Sequence, residues 1–144
     1  MIVIDCSAAV EIALNTEAGS VIARLIDPQE RILAPTCFRV EVRNALWEYV
    51  HAGLLNREEA LENVAFAEAL ITDFVEPDDY LAEVFMEAIN RNCPVSDMLY
   101  LCITRRNAAT LFTTDHRLAH LCRETYVNCV EEVDLFVEED DSDI

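Results

Sequence analysis

The feature that most limits the fold of this chain is a set of short apolar runs that do not alternate with polar residues. Ile2-Val3-Ile4, Ile32-Leu33-Ala34 and Leu111-Phe112 are apolar on both faces. A strand with one wet face alternates apolar and polar side chains, whereas a strand covered on both faces does not. Between these runs lie segments of helical period. In residues 36–51, for example, Phe38, Val42, Ala45, Leu46 and Tyr49 fall on one face. Short buried strands separated by helices imply βαβ units, and hence an α/β fold whose mostly parallel sheet is covered on both sides.

The punctuation supports this order. Strands are predicted at 2–5, 32–34, 74–75, 110–113 and 126–127. Helices are predicted at 7–14, 18–26, 36–51, 56–71, 78–91, 97–106 and 115–122. Thr36 and Ser96 are candidate N-caps, and Asn56 with Glu59 has the spacing of a capping box. Gly53 fits just past the third helix, where a left-handed residue ends a helix without steric penalty. At 144 residues, 53% of them hydrophobic, the chain is expected to form one domain over residues 1–137. Glu138 to Ile144 read as an acidic, solvated and disordered tail. No apolar run approaches the ~18 residues of a membrane span. The first residues enter a strand directly, with no basic leader, which predicts a cytoplasmic protein.

Composition excludes several classes. The two glycines, Gly19 and Gly53, cannot supply the spaced glycines of a dinucleotide site or a P-loop. The six cysteines include no C-x-x-C pair and sit in apolar periodic segments, so small buried thiols fit better than a zinc knuckle or a disulfide framework. The net charge is −18, and every basic residue is arginine. A general nucleic-acid coat needs basic residues for its affinity. An enzyme that grips a few phosphates with metal ions and a few arginines does not.

Four acids stand out against this background. Asp5 ends the first apolar run, where a carboxylate has few local structural roles. Glu41 lies in Val40-Glu41-Val42-Arg43-Asn44-Ala45-Leu46, Asp97 follows Pro94-Val95-Ser96, and Asp115 follows Leu111-Phe112-Thr113-Thr114. Each adjoins core-forming residues, where an unpaired carboxylate is expensive. In a parallel sheet, ligands bind outside the carboxyl ends of the strands, where Asp5 and Asp115 are expected. Converging carboxylates call for hard divalent cations, and Mg2+ or Mn2+ held by Asp5, Glu41, Asp97 and Asp115 would suit phosphodiester hydrolysis. Singly, each acid also has a structural reading: Asp97 as a first-turn acid, Asp115 as an N-cap, Glu41 as a solvated helix residue. Ser7 and Thr113 flank two of the acids and are candidates to hold them. Asn44, three residues after Glu41, is a candidate to bond a carboxylate, a water or substrate.

These segments together resemble the PIN-domain family. Ile2-Val3-Ile4-Asp5-Cys6-Ser7 looks like its opening motif. Pro35 followed by Glu41-Val42-Arg43-Asn44-Ala45-Leu46 is similar to its second acidic motif. Ser96-Asp97-Met98-Leu99-Tyr100-Leu101 resembles the third and Leu111-Phe112-Thr113-Thr114-Asp115 the fourth, the whole covering about residues 1–130. The resemblance implies a Rossmann-like three-layer α/β/α sandwich and a Mg2+- or Mn2+-dependent endoribonuclease. Its acidic residues carry over to Asp5, Glu41, Asp97 and Asp115. Chains of this size in the family are usually toxins of the VapC type. They form homodimers and pair with an antitoxin whose C-terminal segment, expected here to be basic, blocks the site.

Other features weigh less. His116 and His120 have the i, i+4 spacing of zinc ligands but lack an evident third ligand, so surface histidines are the better reading. Arg39 and Arg43 are expected to pair with acids, and Arg105 and Arg106 to close a helix. Arg117, beside Asp115, is the arginine expected to contact substrate. Trp47 is expected in the core or a dimer interface. A receiver-like phosphoacceptor and a haloacid-dehalogenase-type phosphatase both need a lysine that this chain lacks. A PIN-like module that binds RNA or protein without efficient cutting stays open.

Overall fold

The computed structural model describes residues 1–131; the acidic segment 138–144 and the expected domain end at 137 lie outside them. Five strands form one sheet: β1 (Ile2–Ile4), β2 (Ile32–Pro35), β3 (Asp73–Val75), β4 (Thr110–Phe112) and β5 (Cys129–Val130). The order is β3-β2-β1-β4-β5, and every pairing is parallel. Seven α-helices connect them: α1 (Cys6–Ala13), α2 (Glu17–Ala23), α3 (Phe38–His51), α4 (Arg57–Ala69), α5 (Leu81–Arg91), α6 (Val95–Arg106) and α7 (His116–Glu124).

The apolar strands explain the three layers. Side chains along a strand point alternately to opposite faces. Val3, Leu33 and Leu111 enter one core with α5, α6 and α7. Ile2, Ile4, Ile32, Ala34 and Phe112 enter the other, with side chains from α1 to α4. Ile4 and Leu111 are fully buried. Truncating either to alanine should cost about 2–5 kcal/mol.

Backbone details set the helix ends. Gly53 has φ +77, and Leu54 and Gly53 donate N–H bonds to the Tyr49 and Val50 carbonyls, a Schellman end for α3. Asn56 and Glu59 form the expected capping box of α4. Gly19 allows α2 to press on α1, since a Cβ there would lie 2.0 Å from the Glu11 carbonyl oxygen.

Most boundaries shift by a residue or two, α2 stops at Ala23 rather than at 26, and four differences have a plain cause. The last strand is Cys129–Val130, not 126–127. Tyr126 has φ 59 and is 96% exposed. It is the left-handed residue ending α7, with Val127 N–H bonded to the Cys122 carbonyl, so the chain turns before it extends. Helix α6 begins at Val95 rather than after Ser96, because Pro94, extended and without an N–H, takes the N-cap position. Cys37, not Thr36, precedes α3, with no side-chain cap. The predicted 78–91 helix splits into a 3-10 turn at Pro77–Asp79 and α5.

Candidate active site

The sheet order creates the site. Chain connections leave β1 toward β2 on one side and reach β4 on the other, opening a crevice at the carboxyl ends of these central strands. Asp5 follows β1 and Asp115 lies just beyond β4. Glu41 reaches in from the first turn of α3, and Asp97 from the first turn of α6. All four acids line one cleft of about 290 Å³, together with Cys6, Ser7, Ala45, Ser96, Tyr100 and Leu118.

Asp5 has a local structural role as well. It is the N-cap of α1, its Oδ1 accepting the Ala8 N–H at 2.9 Å. Ser7 Oγ donates to the same oxygen at 2.7 Å, and Thr113 Oγ1 donates to Oδ2. Ser7 Oγ also accepts the Thr114 N–H, and Thr113 Oγ1 accepts that of Asp115. Two hydroxyls thus tie the end of β1 to the loop after β4. Asp5 is only 5% exposed. Burial pushes its carboxyl up to about 6 despite the three hydrogen bonds, with a smaller push from Asp115.

The other acids divide the same way. Glu41 Oε1 accepts the Tyr100 hydroxyl at 2.9 Å and the Cys37 thiol at 3.6 Å. Burial raises its pKa, those donors oppose the rise, and Asp97 adds to it. Burial also raises Asp97, against the pull of Arg117 and with a push from Asp115. Burial, then the charges of Glu41 and Asp5, push the Cys6 thiol up to about 12, so it meets the cleft as a neutral thiol. Asp115 caps α7 through Oδ1, which accepts the Arg117 and Leu118 N–H groups at 3.0 and 3.4 Å.

Asp97 Oδ2 is buried. The Arg117 guanidinium approaches it to 2.9 Å, but outside hydrogen-bond alignment, leaving that oxygen with a nearby charge and no aligned donor. An acceptor in that state, beside other raised carboxyls, matches what a hard cation binds. No three His, Cys, Asp or Glu side chains form a ready-made cage among the described residues. That is compatible with Mg2+, which keeps several waters and takes one or two carboxylates directly.

Of the remaining candidates, Ser7 and Thr113 contact Asp5, and Arg117 reaches Asp97. Asn44 does not bond a cleft carboxylate: it is exposed, and Ala45, four residues after Glu41, lines the wall instead. Asn44 and Ala45 fall about 60° and 40° to opposite sides of Glu41, and the cleft wall lies on the Ala45 side. Tyr100 was missed as a site residue, although its i+3 spacing from Asp97 places both on one side of α6. His116 pairs with Glu131 and His120 with Glu124, so the two histidines share no ligand set. Arg43 pairs with Glu68, whereas Arg39 lies 4.0 Å over the Phe74 ring. Trp47 is 58% exposed and stacks on His51, outside the core.

The chain matches no family model. It is 32% identical over 119 residues to Ribonuclease VapC12 of Mycobacterium tuberculosis, in both strain CDC 1551 / Oshkosh and strain ATCC 25618 / H37Rv. The match spans 83% of this chain and 90% of that protein. The crystal structure of PAE2754 from Pyrobaculum aerophilum superposes with a TM-score of 0.72 at 20% identity, covering 95% of this chain and 93% of the other. A parallel β3-β2-β1-β4-β5 sheet with four acids at its switch point is a PIN-type architecture. The chain belongs to the VapC-type PIN family.

Proposed function

We propose that this protein is a metal-dependent endoribonuclease, the toxin of a type II toxin–antitoxin pair. One observation carries the reading: Asp5, Glu41, Asp97 and Asp115 meet in a single cleft at the switch point, with one buried oxygen left without an aligned donor. The relationship to Ribonuclease VapC12 supports the substrate class.

Mg2+ or Mn2+ held by these acids would supply charge neutralisation at the phosphate and a more acidic bound water. The chain's own residues do the positioning. Thr113 and Ser7 fix both oxygens of Asp5, and Tyr100 holds one oxygen of Glu41. Asp115 uses Oδ1 for its cap bonds, which leaves Oδ2 to orient the attacking water.

An antitoxin segment rich in arginine or lysine would complement a cleft of this charge. A homodimer has candidate surfaces in the exposed Phe85, Met86 and Ile89 of α5. Among the described residues no helix is long and apolar enough to cross a membrane. A cytoplasmic location follows from the reading as a toxin paired with an antitoxin.

The test is cleavage of a panel of short and structured RNAs by metal-stripped protein, with Mn2+ restored and with chelator. Cleavage that needs Mn2+ is expected. One observation favours the second reading, a module that binds without cutting: Arg117 already partly neutralises Asp97. RNA that is retained but never cut, at any Mn2+ concentration, would establish that alternative.

A further inference from the structure

Arg117 brings a positive charge into the acidic cleft, and the two ends of this residue are held very differently. Its backbone N–H donates to Asp115 Oδ1 at 3.0 Å, so the start of its side chain is fixed beside one of the four acids. Its guanidinium meets its partner off axis. Nη2 lies 2.9 Å from Asp97 Oδ2 without hydrogen-bond alignment, and the side chain is 63% exposed, against 14% for Asp97. Elsewhere in the chain, arginines pair with carboxylates through aligned donors. Arg31 places Nε and Nη2 at 3.2 and 3.0 Å from Asp73 Oδ2, and Arg106 places Nε 2.8 Å from Glu83 Oε2. The Asp97 contact is that of a counter-ion that neutralises without locking.

We propose that Arg117 is an exchangeable counter-ion of the cleft: it neutralises Asp97 in the metal-free protein, yields Asp97 Oδ2 to an entering divalent ion, and then presents its guanidinium to the RNA phosphodiester. The inference rests on the proposed ribonuclease reading and adds a named substrate-positioning residue to it. Three physical points support it. An off-axis contact from an exposed arm is worth little, so a divalent ion can displace it. A planar guanidinium matches phosphate oxygens in a fork, which suits it to the second task. Tethering at Asp115 keeps the released guanidinium within side-chain reach of the cleft mouth.

The experiment compares wild type, Arg117→Gln, Arg117→Lys, Asp97→Asn and the double variant Asp97→Asn/Arg117→Gln. Mn2+ binding to metal-stripped full-length protein is measured by calorimetry, and kcat and KM are measured on one short RNA that wild type cuts. Removing a competing exposed ion pair should tighten Mn2+ binding in Arg117→Gln by about two- to fivefold. Losing a charge-assisted phosphate contact should lower kcat/KM by about ten- to hundredfold, with partial recovery in Arg117→Lys. In the Asp97→Asn background, Arg117→Gln should no longer change Mn2+ affinity, since the contact is already gone. A purely structural arginine would behave differently: its loss would weaken Mn2+ binding or leave it unchanged, and either result overturns the proposal. Tighter Mn2+ binding with unchanged kcat/KM overturns the phosphate role. Wild type that binds Mn2+ but cuts no RNA overturns the ribonuclease reading, and the calorimetry still decides whether Arg117 competes at Asp97.

Discussion

Two groups of acids in this molecule have opposite fates. In the cleft, Asp5, Glu41 and Asp97 all have raised pKa values, with burial the first cause in each. Across α5 and α6, Glu83 and Glu87 are held below their ordinary values, chiefly by hydrogen bonds from Arg105 and Arg91 respectively. The residue types are the same; the partners are not. Arg105 Nη2 bridges Glu83 and Glu87, Arg106 adds to Glu83, and Arg91 adds to Glu87. In the cleft, hydroxyls and backbone N–H groups stand where arginines stand on α6, and the one arginine at Asp97 is misaligned. Neutral donors orient carboxylates without cancelling their charge. The α5–α6 acids are finished as structure, while the cleft acids keep a charge deficit that a cation can fill.

The strongest way to break this comparison is to neutralise a cleft acid. Asp5→Asn preserves size and can still cap α1, yet it should lower Mn2+-dependent RNA cleavage by more than about 100-fold, the scale for removing one group that stabilises developing charge. Circular dichroism should show an intact fold, and the metal-stripped variant should melt higher than wild type at pH 7. Cleavage at the wild-type rate would move the active site elsewhere.

The second effect is on the pH dependence of the metal-stripped protein. Asp5 titrates at about 6 when folded, against 3.8 when free. The folded state therefore binds more protons in this interval, and stability contributed below pH ~4 is lost as pH rises through about 6. That amounts to roughly 3 kcal/mol if the site does not relax. Glu83 and Glu87 act oppositely: their pairs stabilise above the ordinary glutamate pKa and fail as pH falls through their lowered values. Denaturant midpoints for the metal-stripped protein should rise from pH 7 to pH 5 and fall below about pH 4. Asp5→Asn should flatten the upper part alone. A wild-type profile that falls steadily from pH 7 downward would show that the cleft acids are not destabilising.

Tyr100→Phe tests the neutral donors. It removes the hydroxyl that donates to the half-buried Glu41, so the metal-free protein should lose roughly 1–2 kcal/mol at pH 7 and less near pH 4, where Glu41 is protonated. An equal loss at both pH values would assign the effect to packing rather than to the carboxylate. Arg105→Ala should give the smallest effect, about 1 kcal/mol in denaturant melts and less in high salt, because its side chain and those of its partners are partly exposed. RNA cleavage and Mn2+ affinity should not change. A drop in Mn2+ affinity would mean that the two acid groups are coupled.

Much of the fold was legible because parallel strands buried on both faces leave an apolar signature in a few residues, and helices leave a period. The misplaced last strand shows where that reading fails. Tyr126 and Val127 have strand-like chemistry, but ending α7 requires a left-handed residue, and the chain uses Tyr126 for it. Local propensity gave way to a helix cap.

The acids were legible for a related reason: a carboxylate at the end of an apolar strand is costly and invites explanation. Capping a helix does not take an acid out of the cleft. Asp5 and Asp115 each use one oxygen to cap a helix while lining the cleft. By itself, then, the sequence determined the layer architecture and set four acids at the ends of core-forming segments, since both follow from residue type and local spacing. Only the tertiary structure decided that Tyr100, not Asn44, supports Glu41, that two hydroxyls tie β1 to the loop after β4, and that Arg117 stands off axis at Asp97. Those contacts join residues far apart in the chain. They depend on helix rotation and sheet order, which no local pattern records.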